Sequence, residues 1–296
     1  MKRNKRLIFI LILFALGVAL ALISGNTRNH ETVILAQLAP STESQMCGYV
    51  LSDGEITIVF DGGTKGDAGE VVDEVKKLSN DDTVDAWFIT HYHEDHTGAL
   101  AQILSEPDAM IRIEKVYCNF PPSDLIQLYD PDCYSEYQII ETALEYAPVV
   151  DVPVEGNEFQ IGEFTVFVLQ SPDVSITTNF GNNSSTIYKV ETDESSILIL
   201  GDAGIEAGDR LLNGPYKAKI KNIDYLQMAH HGQNGVSEEV YRYINPRNCL
   251  WPTPAWLWDA SEDEYKTRET RRWMDSMNVA NHYVAKDGLI EIKLQP

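Results

Sequence analysis

The feature that most limits this chain is a dense run of ligating side chains. Thr90-His91-Tyr92-His93-Glu94-Asp95-His96-Thr97-Gly98 stands directly after the apolar stretch Trp87-Phe88-Ile89. Three imidazoles and an aspartate within six residues form an N/O ligand set suited to zinc, with manganese or iron as alternatives. Alternate residues of an extended chain face one way, so His91 and His93 can bite one ion. Asp95 and His96 follow where the chain is expected to turn, placed to serve a second. A solvated polar turn with chance histidines is the competing account, and the ligand density argues against it.

Five of the seven histidines fall in two clusters, the second being Ala229-His230-His231-Gly232 after the apolar run Ile223–Met228. Taken alone, such a pair fits one core histidine beside one exposed histidine equally well. Its weight comes from company. Ser196-Ile197-Leu198-Ile199-Leu200-Gly201-Asp202 reads as a buried strand ending in a carboxylate, which is costly unless paired or bound to metal. Ile58-Val59-Phe60-Asp61-Gly62-Gly63 repeats that pattern upstream.

Short β-rich runs (46–50, 55–60, 84–90, 111–118, 159–169, 186–190, 196–200, 223–228, 248–251 and 289–294) alternate with amphipathic stretches at 69–78, 135–146, 237–244 and 262–277. Strands interleaved with helices give an α/β protein, and hairpin-like pairs argue against an all-parallel sheet. One domain over 45–296 is expected, after a polar linker at 26–44.

The first 25 residues read as targeting rather than fold. Lys2, Arg3, Lys5 and Arg6 precede the uncharged run Leu7–Ile23, which is short for a spanning helix and long for a signal core. The basic flank stays in the cytoplasm, which places the rest outside, either secreted after cleavage or membrane-anchored. Export permits disulfides, and Cys118 with Cys133 is the closest pair; free buried thiols are the equal alternative. The four cysteines form no Cys-x-x-Cys pair.

The order Asp61, His-x-His-x-Asp-His at 91–96, Gly-Asp at 201–202 and His-His-Gly at 230–232 resembles the metallo-β-lactamase superfamily, over roughly Gln45 to the C-terminus. Within it, Asn182-Asn183-Ser184-Ser185, the Val240–Pro246 segment and Asp287-Gly288-Leu289 resemble the hydrolase domain of ComEC-type DNA-uptake proteins. The resemblance implies an αββα sandwich of two mixed β-sheets flanked by helices. It implies one or two Zn2+ ions, with His91 and His93 on the first, Asp95 and His96 on the second, and Asp202 bridging. His230 is preferred over His231 as the last ligand, leaving His231 to face substrate and donate a proton. Asp61 would orient the site by hydrogen bonds. Asn183 or Ser185 stands where many members have a third histidine on the first ion. Such ions lower the pKa of bound water to about 7 and polarise a phosphoryl or carbonyl oxygen, so the implied reaction is hydrolysis by a metal-bound hydroxide. A phosphodiester is favoured, with a carboxylic ester, thioester or lactam as the alternative. A metal-stabilised binding module would be signalled by loss of Asp95, His96 or Asp202, and all three are present.

Charge narrows the substrate. With 23 Lys+Arg against 45 Asp+Glu the formal charge is −22, which disfavours a long nucleic acid lying on the surface. Bound cations invert the local field, so a small or cell-envelope phosphodiester fits better. In Trp251-Pro252-Thr253-Pro254-Ala255-Trp256-Leu257-Trp258 the tryptophans read either as core or as the wall of a pocket for a base, sugar or quaternary ammonium, with Trp256 a candidate contact.

Overall fold

Runs such as Ile58-Val59-Phe60 and Ile197-Leu198-Ile199-Leu200 do not alternate with polar residues, which is the pattern of strands covered on both faces. The computed structural model describes residues 32–106, 110–193, 195–261 and 265–294, and builds these runs into two seven-stranded sheets. The first has the order β16-β1-β2-β3-β5-β7-β8. Its members are β1 (Ile34–Gln37), β2 (Gly48–Ser52), β3 (Thr57–Asp61), β5 (Ala86–Phe88), β7 (Val116–Tyr117), β8 (Val150–Asp151) and β16 (Ile290–Lys293). The second runs β15-β14-β13-β12-β11-β10-β9. It holds β9 (Glu158–Ile161), β10 (Phe164–Gln170), β11 (Ile187–Glu191), β12 (Ser196–Ile199), β13 (Tyr225–Gln227), β14 (Asn248–Trp251) and β15 (Asn281–Val284). β4 (Thr83–Val84) and β6 (Arg112–Ile113) form a small parallel pair.

Each sheet is mixed in the same way, with antiparallel pairings on one side and parallel ones on the other. Successive side chains of one strand enter different layers. Phe60 and Phe88 face the second sheet, where Phe60, Phe88 and Tyr117 stack at 5.0 and 4.5 Å between ring centroids. Val59 and Trp87 face the opposite way, onto α1 (Ala68–Leu78), α2 (Glu94–Ser105) and α3 (Tyr134–Leu144). Leu198 and Leu226 of the second sheet pack on α4 (Ile205–Asn213), α5 (Glu238–Ile244) and α6 (Thr267–Asp275). The architecture is therefore the expected αββα sandwich of two mixed sheets flanked by helices.

Several expectations change. The span read as linker contributes β1, which pairs with both β2 and β16, so the fold takes in residues well before Gln45. Four residues held by two distant partners leave little local signal. Asp95 and His96 lie not in a turn but in the first turn of α2. The run at 111–118 divides into β6 and β7. All four cysteines are free: Cys118 is buried in the core under the first sheet, while Cys133 faces His93 and Asp130. Of the helix expected over 262–277, Thr267–Asp275 is seen; Glu262-Asp263-Glu264 and the N-terminal apolar run lie outside the described residues. Among the described residues no helix is long and apolar enough to cross a membrane.

Glu74 of α1 is only 3% exposed, 3.4 Å from Lys77, and Lys77 also reaches Glu291 of β16 at 2.9 Å. Burial pushes the Glu74 carboxyl up to about 6; Lys77 opposes this and Glu291 adds to it. The unfolded chain ionises the same group at its ordinary value of 4.5. Its ionisation therefore costs stability that is fully retained below pH 4.5 and lost as pH rises through 6. Glu74→Gln is expected to raise stability by about 1–2 kcal/mol at pH 8, with the gain vanishing near pH 4.5. Paired thermal melts across that range check it, and a gain independent of pH would refute it.

Candidate metal centre

Parallel strands in both sheets end on one rim, and the loops leaving them bring the predicted residues together. Asp61 closes β3, His91 and α2 follow β5, Asp202 follows β12, and His230 and His231 follow β13. Asp61, His230 and His231 all have left-handed backbones, with φ of 52°, 52° and 54°. Most other non-glycine residues in that region are Asn or Asp, which tolerate it; two adjacent histidines do not adopt it cheaply. Gln227 fixes these strand ends, accepting from the Leu200 N–H and donating to the Gly201 and Met228 carbonyls.

Four buried polar atoms converge without a hydrogen-bond partner: His91 Nε2, His96 Nε2, His231 Nε2 and Asp202 Oδ1. Two overlapping triads share His96, one with His91 and Asp202, the other with Asp95 and His231. His96 Nε2 lies 3.1 Å from Asp202 Oδ1, and His231 Nε2 lies 3.0 Å from Asp95 Oδ2. Buried polar atoms are rarely left unpaired, so convergence of several on one point is the mark of a cation site. The donor set of imidazole and carboxylate suits zinc or iron.

Each imidazole is held by its other nitrogen. His96 Nδ1 donates to Asp61 Oδ2 at 2.7 Å, and Asp61 also accepts the Thr90 N–H and hydroxyl at 2.8 Å each. Asp61 thus ties Thr90 and His96 together. His231 Nδ1 donates to the Pro252 carbonyl at 2.9 Å. His93 Nε2 donates to Asp130 at 2.9 Å, and the Tyr92 hydroxyl donates to the same oxygen. That contact leaves His93 Nδ1 as the nitrogen available to an ion beside His91, whose ring centroid is 4.5 Å away. Such outer carboxylates and carbonyls set tautomer and ring angle. Cys47 lies against Asp61 and His96, its thiol pushed up to about 12 chiefly by burial.

The charges are mutually dependent. Burial alone would press His96 down, but Asp202, Asp61 and Asp95 outweigh it and hold the ring well above its usual range. Burial would raise Asp202, but His96, His231 and His230 hold it well below. His231 reaches about 9, Asp202 and Asp95 overcoming its burial. The carboxylates that retain these protons are equally able to retain a divalent cation.

Three sequence expectations need correction. His231, fully buried and bonded to the Pro252 carbonyl, is the histidine that joins Asp95 and His96 in the cluster, while His230, 19% exposed, stands beside it at 3.9 Å from Asp202. Asn183 is neither ligand nor substrate contact, because its amide is consumed at the start of α4. Its Oδ1 accepts the Gly204 and Ala207 N–H groups, and its Nδ2 donates to the Thr178 carbonyl and Glu206. Ser185 is fully buried and its hydroxyl accepts the Asp202 N–H. Asn182, read in the sequence only as part of the Asn182–Ser185 run, is the amide beside the site: Nδ2 lies 3.4 Å from His230 Nε2, and Oδ1 is buried without a partner. Trp256 makes no contact with the cluster and lines a separate cleft on the rim. Asp130, equally unforeseen, comes from a segment with no motif around it.

A family model described as the metallo-beta-lactamase superfamily matches residues 43–246, and the chain belongs to that superfamily. No curated protein sequence matches it. The fold is similar to that of the metallo-beta-lactamase fold protein YhfI from Bacillus subtilis, with TM-score 0.51 and 12% identity over 88% of this chain and 100% of that one. Igni18, a metallo hydrolase from Ignicoccus hospitalis, gives 0.51 and 14% over 89% of this chain and 100% of that one. CmlA, a diiron beta-hydroxylase from Streptomyces venezuelae, gives 0.52 and 13% over 89% of this chain and 54% of that one. At such identities the likeness is one of fold, and the fold carries more than one chemistry.

Proposed function

We propose that this protein is an extracytoplasmic, metal-dependent phosphodiesterase. The observation that carries the hydrolase reading is the meeting of four unpartnered buried atoms, from His91, His96, His231 and Asp202, at the strand-end rim. His91, His93 and Asp202 would hold one ion, and Asp95, His96, His231 and Asp202 a second, zinc being the best match and manganese or iron the alternatives. When bound, such ions acidify a water molecule and polarise the ester under attack. The chain's own contribution is orientation. Asp61 and Thr90 fix His96, Asp130 fixes His93, and the Pro252 carbonyl fixes His231.

A phosphodiester is supported by what lies outside the ligand set. His230 and Asn182 present hydrogen-bonding groups side by side, suited to the oxygens of a phosphoryl centre. The resemblance of Asn182–Ser185 and His-His-Gly to the ComEC-type branch points the same way. The acidic surface disfavours a long strand and leaves small or cell-envelope diesters. The basic flank and apolar run at the N-terminus support export, as a cleaved signal or an anchor, which terminal sequencing of the mature protein distinguishes.

The test is metal content together with turnover of bis-(p-nitrophenyl) phosphate, by wild type and Asp95→Ala, alongside single-stranded DNA, phosphorylcholine esters and nitrocefin. Turnover confined to phosphodiesters and lost in the variant is the expected result. Hydrolysis of nitrocefin alone would move the activity to lactams. A metal-loaded wild type inert towards every substrate would favour a binding module, and equal turnover by Asp95→Ala would overturn the site.

A further inference from the structure

Of the tryptophans in the Trp251–Trp258 segment, two have structural work. Trp251 is fully buried in the layer over the second sheet, and Trp258 packs edge-on against it at 5.3 Å while Arg271 covers its ring at 3.8 Å. Trp256 is more open. It meets Tyr265 edge-on at 5.6 Å between ring centroids, yet it is 43% exposed and lines a cleft of about 600 Å³ with Pro40, Thr42, Glu43, Pro254 and Lys286 among the other walls.

The topology places this cleft on the rim of the metal centre. β14 and β15 run parallel to β13, and β1 runs in the direction of β3, so the loops following β1, β14 and β15 leave from the rim that carries the ligands. Its walls are bonded to site-bearing loops. The Lys286 N–H donates to the Thr253 carbonyl at 3.0 Å, and the Thr253 hydroxyl donates to the His231 carbonyl at 2.6 Å. On the opposite wall, Ser41 donates to Asp67, whose other oxygen accepts from Thr64, three residues beyond Asp61.

We propose that this cleft is a substrate subsite for the base of a small nucleotide phosphodiester, stacked on Trp256. The inference rests on the phosphodiesterase reading and adds the substrate class. A π-face at the edge of a hydrolytic site takes a flat ring, and stacking of a base on an aromatic side chain is a strong, sequence-tolerant contact. Lys286, ion-paired with Asp287 at 2.7 Å, borders the cleft and offers its remaining N–H groups to a phosphate, and Glu43 offers an acceptor for N–H groups on a base edge. A quaternary ammonium fits less well, since Trp256 is the one aromatic among the described lining residues, where a cage needs several. The formal charge of −22 disfavours a long strand and favours a short ligand.

Calorimetric titration of the metal-loaded full chain with the dinucleotide GpG, inorganic phosphate and phosphorylcholine tests this, using wild type, Trp256→Ala and Trp256→Phe. GpG affinity is expected to fall about tenfold or more in Trp256→Ala and to recover largely in Trp256→Phe, with phosphate binding unchanged. GpG binding that is absent, or indifferent to Trp256, overturns the subsite, as does phosphorylcholine binding that depends on Trp256. The two readings fail separately. Turnover of bis-(p-nitrophenyl) phosphate with Trp256-independent GpG binding leaves the phosphodiesterase without this subsite. Trp256-dependent GpG binding with no diester turned over removes the activity and keeps the nucleotide site.

Discussion

Asp202→Asn is expected to cost this protein at least one equivalent of bound metal and to reduce hydrolysis about a thousandfold. Asp202 faces His96 at 3.1 Å and His231 at 3.5 Å, so this buried carboxylate stands towards histidines of both triads. Its amide replacement keeps the shape and the backbone bond to Ser185 while removing the charge. Loss of several kcal/mol of charge stabilisation corresponds to about three orders of magnitude in rate. Elemental analysis after dialysis, with steady-state rates on the same samples, checks both parts. A variant retaining full metal and rate would show that Asp202 is not a ligand.

Gly98→Ala should have a comparable effect by a different route. An added Cβ at Gly98, in the middle of α2, would lie 2.4 Å from the Lys65 nitrogen and 2.7 Å from the Thr64 carbonyl carbon. Both neighbours are backbone, so the clash cannot be relieved by a rotamer change. The helix carrying Asp95 and His96 must then move off the turn that follows Asp61, to which it is also tied by the Ala99 N–H and Gly63 carbonyl at 3.0 Å. A destabilisation of about 3 kcal/mol is expected, with loss of metal. Gly69 provides the control: it lies in α1 with nothing within 4 Å of an added Cβ, and Gly69→Ala should gain about 0.5–1 kcal/mol. Denaturant melts of the two variants settle the comparison, and equal stability for both would refute the packing argument.

These two glycines show where reading the chain alone stops. The strands through Phe60, Phe88 and Ile199 were legible because burial on both faces leaves an unbroken apolar run. The candidate ligand residues were legible because they sit at the ends of those runs. The choice between His230 and His231 was not. It depends on two left-handed backbones and on a carbonyl at Pro252, and neither leaves a trace in local composition. Asn183 looked like a replaced ligand, yet its amide is spent on α4, a helix that the spacing of apolar residues had not announced. Asp130 reaches His93 from 37 positions away, a contact that only the folded chain defines.

The division of the sandwich gives the metal centre a second meaning. Asp61, His91, His93, Asp95 and His96 come from loops of the first sheet, and Asp202, His230 and His231 from loops of the second. The chain passes between sheets after β8 and returns only after β15, when the four residues of β16 close the first sheet beside β1. An ion held there would be gripped from both sheets and would add its binding energy to the apolar layer that already joins them. A chelator that empties such a site is expected to loosen the seam between the sheets before either sheet comes apart.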